Sequence, residues 1–436
     1  MSPLSLLYVF GALIVTGGAI LTLPACAASG ARTGFLDALF TSASAVCVTG
    51  LVVVDTGTHW APLGQAVVLL LIQVGGFGFM ASATLLLLAF GRRIGLRERL
   101  LIGETIGATH PGGLVSLIRK MALFAIIAEV LGALVLFARY ASSLGVTRGA
   151  WFAVFHSVSA FNNAGFDIYG DFASLTTQPN DPVVVFTILV LLVVGGLSFV
   201  ALANIASKRR VSRLSLDTRL VLTTSGLLML AGTMVYLLAE SGNPETMGAM
   251  TLPQKLLSAL FQSATPRTAG FTTVNIGAMH DYTLLFTMFL MFVGGAAGST
   301  AGGIKVNTFG LLVATVVSTL RGREQAEAFG RRFNMNHVFR ALAVVLLALT
   351  FVSIAIVVLT YTEDVDALPV AFEAVSAFGT VGLSTGITPG LSEAGRIVII
   401  VTMFVGRLGP LYVALALVQR QRPKDYRYPV ESVRIG

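Results

Sequence analysis

Eight long apolar stretches alternate with short segments of mixed polarity along this 436-residue chain. Each stretch is long enough to cross a bilayer core of roughly 30 Å as a helix of about 20 residues. The stretches come in pairs that enclose a phrase rich in small and hydroxylated residues. The predicted spans are residues 3–23 and 61–90, 114–140 and 183–207, 218–238 and 282–320, and 338–361 and 397–419. The pattern predicts an all-α membrane protein built from four helix–pore-loop–helix repeats.

The four enclosed phrases resemble one another. They read FTSASAVCVTGL (40–51), FHSVSAFNNAGF (155–166), FQSATPRTAGF (261–271) and FEAVSAFGTVGL (372–383). Their glycines, Gly50, Gly165, Gly270 and Gly382, are 115, 105 and 112 residues apart. A second glycine-containing phrase follows each one after 24 to 30 residues: QVGG, VVGG, FVGG and FVGR. Two landmarks that recur in register indicate internal duplication and predict pseudo-fourfold symmetry around a central ion pore.

Each phrase is too short to cross a bilayer, so we expect a re-entrant helix that returns through an extended segment. Non-helical backbone at membrane depth occurs only where it lines a cavity or is buried in protein. Backbone carbonyls in such a segment can replace the water around a cation, and glycine permits the backbone angles that this requires. The predicted selectivity filter is Val48, Thr49 and Gly50; Asn163, Ala164 and Gly165; Thr268, Ala269 and Gly270; and Thr380, Val381 and Gly382. A single copy would favour close helix packing through small residues instead, but four copies favour a pore.

Composition agrees with a membrane location and leaves no soluble domain of useful size. The chain is 55% hydrophobic and 11% charged, with a mean hydropathy of +0.84. We therefore predict one transmembrane domain over 1–436, with repeats at about 1–90, 114–207, 217–320 and 335–420 and a cytoplasmic tail at 421–436. Zinc-ligand spacing, a nucleophile elbow and a catalytic carboxylate pair are absent from the sequence, which predicts a protein other than an enzyme.

The excess of basic residues is explained by topology. Four clusters contain 21 of the 29 Lys and Arg residues, at 92–120, 208–219, 321–340 and 420–434, all on one predicted side. This bias marks the cytoplasmic side, so it predicts cytoplasmic termini and argues against nucleic-acid binding. Acidic residues concentrate on the outer side, where they either mark that face or form a mouth that attracts cations.

The filter phrases, the segment 294–305 and the phrase VGRLGP at 405–410 resemble the Trk/Ktr/HKT superfamily of potassium transporters over essentially the whole chain. The fourth filter, Thr380-Val381-Gly382-Leu383, is also similar to that of potassium channels. The short segment before the first phrase resembles the Ktr group rather than the Trk group, and four filter glycines imply potassium selectivity.

The resemblance has further implications. It implies a homodimer in the inner membrane of a bacterium, with one potassium pore per protomer, controlled by a cytosolic nucleotide-binding subunit of the KtrA type. It implies potassium as the transported ion and no organic cofactor on this chain, and it leaves sodium open as an activator. A sodium- or proton-coupled secondary transporter is the alternative, although repeats in one orientation favour the pore.

Two features predict a gate below the filter. Arg407 replaces the second glycine of the shared downstream phrase, and an arginine at mid-membrane is too costly to face lipid. A glycine-rich segment disfavours a continuous helix in the third repeat, so we expect a flexible plug there. The segment comprises Gly294, Gly295, Ala296, Ala297, Gly298, Ser299, Thr300, Ala301, Gly302, Gly303, Ile304 and Lys305. The alternative for Arg407 is pairing with a carboxylate or helix-end carbonyls for packing alone.

Five other polar residues have less specific interpretations. Arg267 either braces the filter against neighbouring repeats or pairs with an acid at the outer mouth. Asn162 and Asn163 are candidate amide braces. Glu129 lies alone in an apolar span and is either a packed carboxyl, which we favour, or a group for ion coupling. His156 is interpreted as structural.

Overall fold

The computed structural model describes residues 3–77, 114–177, 181–208, 213–323 and 325–410. Helices dominate these ranges. They are α1 Pro3–Leu21, α2 Phe35–Cys47, α3 Thr56–His59, α4 Pro62–Gly76, α5 Leu114–Leu144, α6 Val146–Phe161, α7 Pro182–Gly196, α8 Phe199–Ser207, α9 Leu216–Glu240, α10 Leu252–Ala264, α11 Asp281–Phe292, α12 Val306–Leu320, α13 Met335–Thr362, α14 Ala367–Gly379 and α15 Glu393–Leu408. Short 3-10 turns lie at Pro24–Cys26, Ser174–Thr177, Ile276–Ala278 and Thr388–Gly390.

The helices confirm the predicted repeat. Each repeat contains a first helix (α1, α5, α9, α13), a short pore helix (α2, α6, α10, α14) and a second helix that begins at α4, α7, α11 and α15. The leading phenylalanine of every phrase is fully buried: Phe40, Phe155, Phe261 and Phe372. The phrases therefore form the centre of the molecule.

The repeats close into a ring through one recurring contact. The second helix of each repeat packs against the pore helix of the next: α4 on α6, α7 on α10, α11 on α14, and α15 back on α2. The second shared phrase permits tight packing within a repeat as well. A β-carbon on Gly75, Gly195 or Gly406 would overlap the carbonyl oxygen of Val46, Phe161 or Phe378 near the end of the pore helix.

The second helices are interrupted in two repeats. The break predicted in repeat 3 is confirmed, because α11 ends at Phe292 and α12 begins at Val306. The span predicted over 183–207 in repeat 2 is not one straight helix, because α7 and α8 meet at a 94° bend. The loop 294–305 explains this bend, since Ala296 N donates to Gly196 O (3.1 Å) and Phe199 N donates to Gly298 O (3.3 Å). Backbone groups that a straight helix would pair internally are paired with the loop instead.

Span lengths differ from the eight predicted. Among the described residues, α5, α9 and α13 are each long and apolar enough to cross a membrane. If the bent pair α7 and α8 is counted as one span, there are four such spans in the described ranges. Shorter apolar helices occupy most of the other predicted spans. Residues 78–90 and 411–419 of the predicted spans, and the tail 421–436, lie outside the described residues. A two-stranded antiparallel hairpin, β1 Glu327–Ala328 and β2 Arg331–Arg332, connects repeats 3 and 4.

Candidate ion pathway

Each predicted filter adopts the same backbone pattern directly after its pore helix. The first residue has a positive φ in all four copies: 57° at Val48, 58° at Asn163, 77° at Thr268 and 51° at Thr380. The glycine two positions later also has a positive φ, of 95° at Gly50, 69° at Gly165, 77° at Gly270 and 90° at Gly382. The residue between them does not. This alternation directs successive carbonyl groups to one side of an extended segment, which a β-carbon at the glycine would resist.

Hydroxyl groups on the pore helices hold the glycines in place. Gly50 N donates to Ser44 Oγ (3.0 Å), and Gly382 N donates to Ser376 Oγ (3.2 Å). In repeat 2 the equivalent Ser159 hydroxyl donates to Phe166 O (2.6 Å). These hydroxyls were not singled out from the sequence. Each lies six positions before its filter glycine, so alignment of the four phrases on their glycines could have identified them.

The four glycines form a closed ring. A β-carbon at Gly50 would lie 2.5 Å from Ala164 O, and one at Gly165 would lie 3.0 Å from Ala269 O. Likewise, a β-carbon at Gly270 would lie 2.5 Å from Val381 O, and one at Gly382 would overlap Thr49 O in the first repeat. Each glycine therefore lies against the carbonyl group that precedes the next glycine. The ring leaves no room for a side chain at any of the four positions.

Buried polar atoms lie next to this ring without a protein partner. Thr49 Oγ1, Asn163 Oδ1, Thr268 Oγ1 and Thr380 Oγ1 have no hydrogen-bond partner among the described residues, and all four residues are at most 1% exposed. Buried oxygens are normally satisfied, so these atoms fit a site whose remaining ligand is an ion or water. Oxygen-only surroundings suit a hard monovalent cation.

A cavity of about 480 Å³ lies outside the ring and is lined by all four filter glycines. Its wall includes Asp167 and Asp171 from repeat 2, and Ser384 and Thr388 from repeat 4. Two acidic residues therefore lie on one side of this vestibule.

The loop 294–305 packs against the start of the fourth filter segment. Gly302 packs directly against the Thr380 side chain, and a β-carbon on Gly303 would lie 3.3 Å from the Cα of Gly379. Gly294 N donates to Ile304 O (2.8 Å), which joins the two ends of the loop. Lys305 Nζ donates to Ala301 O (2.5 Å), so its ammonium group lies within the loop.

Arg407 connects this loop to the rest of the ring. Its Nη1 donates to Thr300 O (2.5 Å) and its Nη2 donates to Gly75 O. The guanidinium of repeat 4 thus contacts repeats 3 and 1. Both hydrogen bonds go to carbonyl oxygens rather than to a carboxylate, and Gly75 lies in the last turn of α4, so these contacts agree with the alternative of pairing with helix-end carbonyls.

The remaining candidates have mixed outcomes. Both interpretations of Arg267 are wrong: Nη1 donates to Ser225 O (3.4 Å) on the first helix of its own repeat, rather than to a neighbouring repeat or an acid. Asn162 does act between repeats, since Nδ2 donates to Gln73 Oε1 (2.9 Å) and to Glu129 Oε1 (3.0 Å). Gln73 Nε2 also donates to Glu129 Oε1 (3.1 Å), so the carboxyl is packed among amides.

His156 is fully buried, with Nδ1 2.7 Å from Phe152 O, and Ile168 N donates to its Nε2 (3.4 Å). These contacts agree with a structural role. The Asn163 side chain lies beside Gly196, whose β-carbon would be 3.2 Å from Nδ2, while its Oδ1 is one of the unpaired atoms next to the filter.

The fold defines a membrane protein of four helix–pore-loop–helix repeats around a central pore. The profile of the family TrkH, described as cation transport protein, matches residues 11–425, and the chain belongs to this family. It is 40% identical to the Ktr system potassium uptake protein B of Bacillus subtilis over 97% of this chain and 94% of that protein. It is 38% identical to the potassium/sodium uptake protein NtpJ of Enterococcus hirae over 100% of this chain and 98% of that protein.

A solved structure shares the fold. The potassium transporter TrkH from Vibrio parahaemolyticus superimposes with a TM-score of 0.74 at 20% identity, covering 95% of this chain and 84% of that one. The curated relatives are transport proteins rather than enzymes, as predicted. The resemblance inferred from the filter phrases is confirmed.

Proposed function

We propose that this protein takes up potassium across the bacterial cytoplasmic membrane through the ring formed by the four filter segments. The closed ring of glycines is the observation that carries the proposal. It brings four carbonyl-bearing segments around one axis, with a vestibule on one side and a loop on the other. Carbonyl dipoles can replace the hydration shell of potassium without binding the ion too tightly. The names of the relatives from B. subtilis and E. hirae support potassium as the ion.

The loop 294–305 and Arg407 form the gate in this proposal. The loop lies directly below the Thr380 side chain, and its position is supported by hydrogen bonds to repeats 2 and 4. A positive charge about 7 Å from a potassium ion would oppose its passage by about 2 kcal/mol at an effective dielectric constant near 20. Displacement of the loop and of Arg407 together would open the pathway.

Control of this gate belongs to a cytosolic nucleotide-binding subunit of the KtrA type, and the chain acts as a homodimer with both termini in the cytoplasm. The name of the relative from B. subtilis, which refers to a Ktr system, supports a partner subunit. Sodium acts as an activator or a second transported ion, which the name of NtpJ supports.

A coupled secondary transporter is less well supported. Such a mechanism would use Glu129 or an acidic residue of the vestibule, and amide groups of Gln73 and Asn162 hold Glu129 in place. This arrangement suits a fixed brace better than a group that exchanges an ion.

One uptake experiment tests the transported ion, the need for a regulatory subunit and the effect of sodium together. The chain is expressed in bacteria that lack potassium uptake, with and without a cytosolic Ktr regulatory subunit, and with and without added sodium. We expect growth at low potassium with the subunit present, and we expect Gly382→Ser to reduce the preference for potassium over sodium. Failure to restore potassium uptake under every condition, with the protein present in the membrane, would refute the proposal.

A further inference from the structure

The position directly after the leading phenylalanine of each phrase is occupied by a different polar residue in every repeat. These residues are Thr41, His156, Gln262 and Glu373. All four are fully buried on their pore helices. A buried polar group is costly unless it is hydrogen-bonded, so the partners of these side chains show what the position does.

In two repeats the partner is the segment that follows the filter on its way back to the surface. His156 Nε2 lies 3.4 Å from the N–H of Ile168, three residues after the filter glycine of repeat 2. Gln262 Nε2 donates to Thr272 Oγ1 (2.7 Å), two residues after the glycine of repeat 3. The same position therefore holds the outer end of the filter in place in both repeats.

Repeat 4 places a carboxylic acid at this position. The Thr388 hydroxyl donates to Glu373 Oε1 and lies 2.9 Å from Ser384 Oγ. Both partners line the vestibule just outside Gly382. One turn further along the same helix, Ser376 Oγ accepts from Gly382 N (3.2 Å). The pore helix thus holds the filter at its glycine and again at the segment beyond it.

Repeat 1 differs from the others. The Thr41 hydroxyl donates to Asp37 O (2.9 Å) in the preceding turn of its own helix, so this short side chain does not hold the return segment. The outer end of the filter is therefore held by side chains of unequal length and charge. Repeat 4 has the strongest acceptor of the four.

We propose that Glu373 is a positioning residue that determines ion specificity, because it anchors the return segment 384–388 and thereby keeps the repeat-4 filter carbonyls at the spacing that selects potassium. Its second oxygen, Oε2, is buried and has no hydrogen-bond partner among the described residues. The anchor is formed by Oε1 and the Thr388 hydroxyl, which also contacts Ser384 Oγ in the same segment, so loss of either group weakens it. The proposal depends on the filter function proposed above.

The test is rubidium uptake by the full chain in proteoliposomes, with sodium as the competing ion. Glu373→Ala and Thr388→Val remove the same hydrogen bond from opposite sides, and each should raise the competition by sodium about 3- to 10-fold, the effect of one lost hydrogen bond. Glu373→Gln keeps an acceptor oxygen for the Thr388 hydroxyl and should restore the wild-type ratio to within about twofold.

Glu363→Gln is the matched control. Glu363 also accepts from a hydroxyl, Ser392 Oγ (2.6 Å), but this contact lies at the start of α15 rather than behind the filter. The ratio of rubidium to sodium in Glu363→Gln should therefore stay at the wild-type value. Wild-type ratios in both Glu373→Ala and Thr388→Val would overturn the proposal, even with reduced protein yield. If Glu373→Ala does not fold, the ratio measured for Thr388→Val alone decides whether the proposal holds. The filter function fails separately if Gly382→Ser leaves the ratio unchanged.

Discussion

Arg407→Ala should increase potassium flux in the absence of any cytosolic subunit. The side chain donates to Thr300 O (2.5 Å) in the loop of repeat 3 and to Gly75 O in repeat 1. Removal of the guanidinium takes away one hydrogen bond to the loop and the link between the loop and repeat 1. The substitution also removes a buried positive charge from beside the proposed pathway.

The size of the effect follows from these two contacts. A hydrogen bond from a charged donor contributes about 1.5–3 kcal/mol to the state in which it forms. If about 3 kcal/mol of the closed arrangement is lost, the ratio of open to closed protein rises on the order of 100-fold. A lysine keeps the charge but cannot donate in the fork geometry of the guanidinium, so Arg407→Lys separates the two contributions. If the flux of Arg407→Lys is close to that of Arg407→Ala, the hydrogen bonds are the main contribution that holds the closed arrangement.

The assay is rubidium uptake into proteoliposomes that contain the chain alone, at matched amounts of protein. Arg396→Ala is the control, because Arg396 lies on the same helix and donates to Asp37 Oδ1 (2.5 Å), three turns from Arg407 and outside the gate. Its basal flux should equal that of the wild type. Flux in Arg407→Ala at or below the wild-type level, with normal protein in the membrane, would refute the reasoning.

Gly382→Ser should reduce the preference for rubidium over sodium in the same assay, because a β-carbon there overlaps Thr49 O and φ is 90°; an unchanged preference would contradict the filter assignment. Glu129→Leu should lower the free energy of unfolding by about 1–3 kcal/mol, since it removes the acceptor of Gln73 Nε2 and one acceptor of Asn162 Nδ2, whereas Glu129→Gln should cost less; thermal unfolding in detergent measures both. Burial raises the pKa of Glu363, but hydrogen bonds from Ser392 lower it, and the net pKa is below its usual value. Its carboxylate therefore stabilises the protein above a pH of about 4.3, and this contribution is lost as the pH falls through the lower folded-state pKa. Glu363→Gln should narrow the difference in melting temperature between pH 7 and pH 3, and an equal difference in both proteins would count against it.

Local backbone chemistry explains why much of the pathway could be predicted from the sequence. The filter required a glycine where φ is positive, and repetition revealed Gly50, Gly165, Gly270 and Gly382 in one register. The break in repeat 3 was predictable for a similar reason, because its many glycines disfavour a helix.

Contacts between repeats were harder to predict. The bend after Gly196 arises because the loop of repeat 3 takes over hydrogen bonds of repeat 2, and the apolar pattern of 183–207 carries no sign of that partner. Ser198, which caps α8 by accepting from Ala201 N (3.4 Å), was the available local signal. Arg267 was misassigned because its position beside the filter does not specify which helix its long side chain reaches.

The closed glycine ring has an evolutionary consequence. Because all four quarters are encoded in one reading frame, a single nucleotide change alters only one side of the pore, whereas a channel assembled from four identical subunits would change on every side at once. Thr41, His156, Gln262 and Glu373 show how far the quarters have diverged where backbone geometry does not restrain them. Duplication in one chain thus permits ion preference to be adjusted in small steps while the central glycines stay in place.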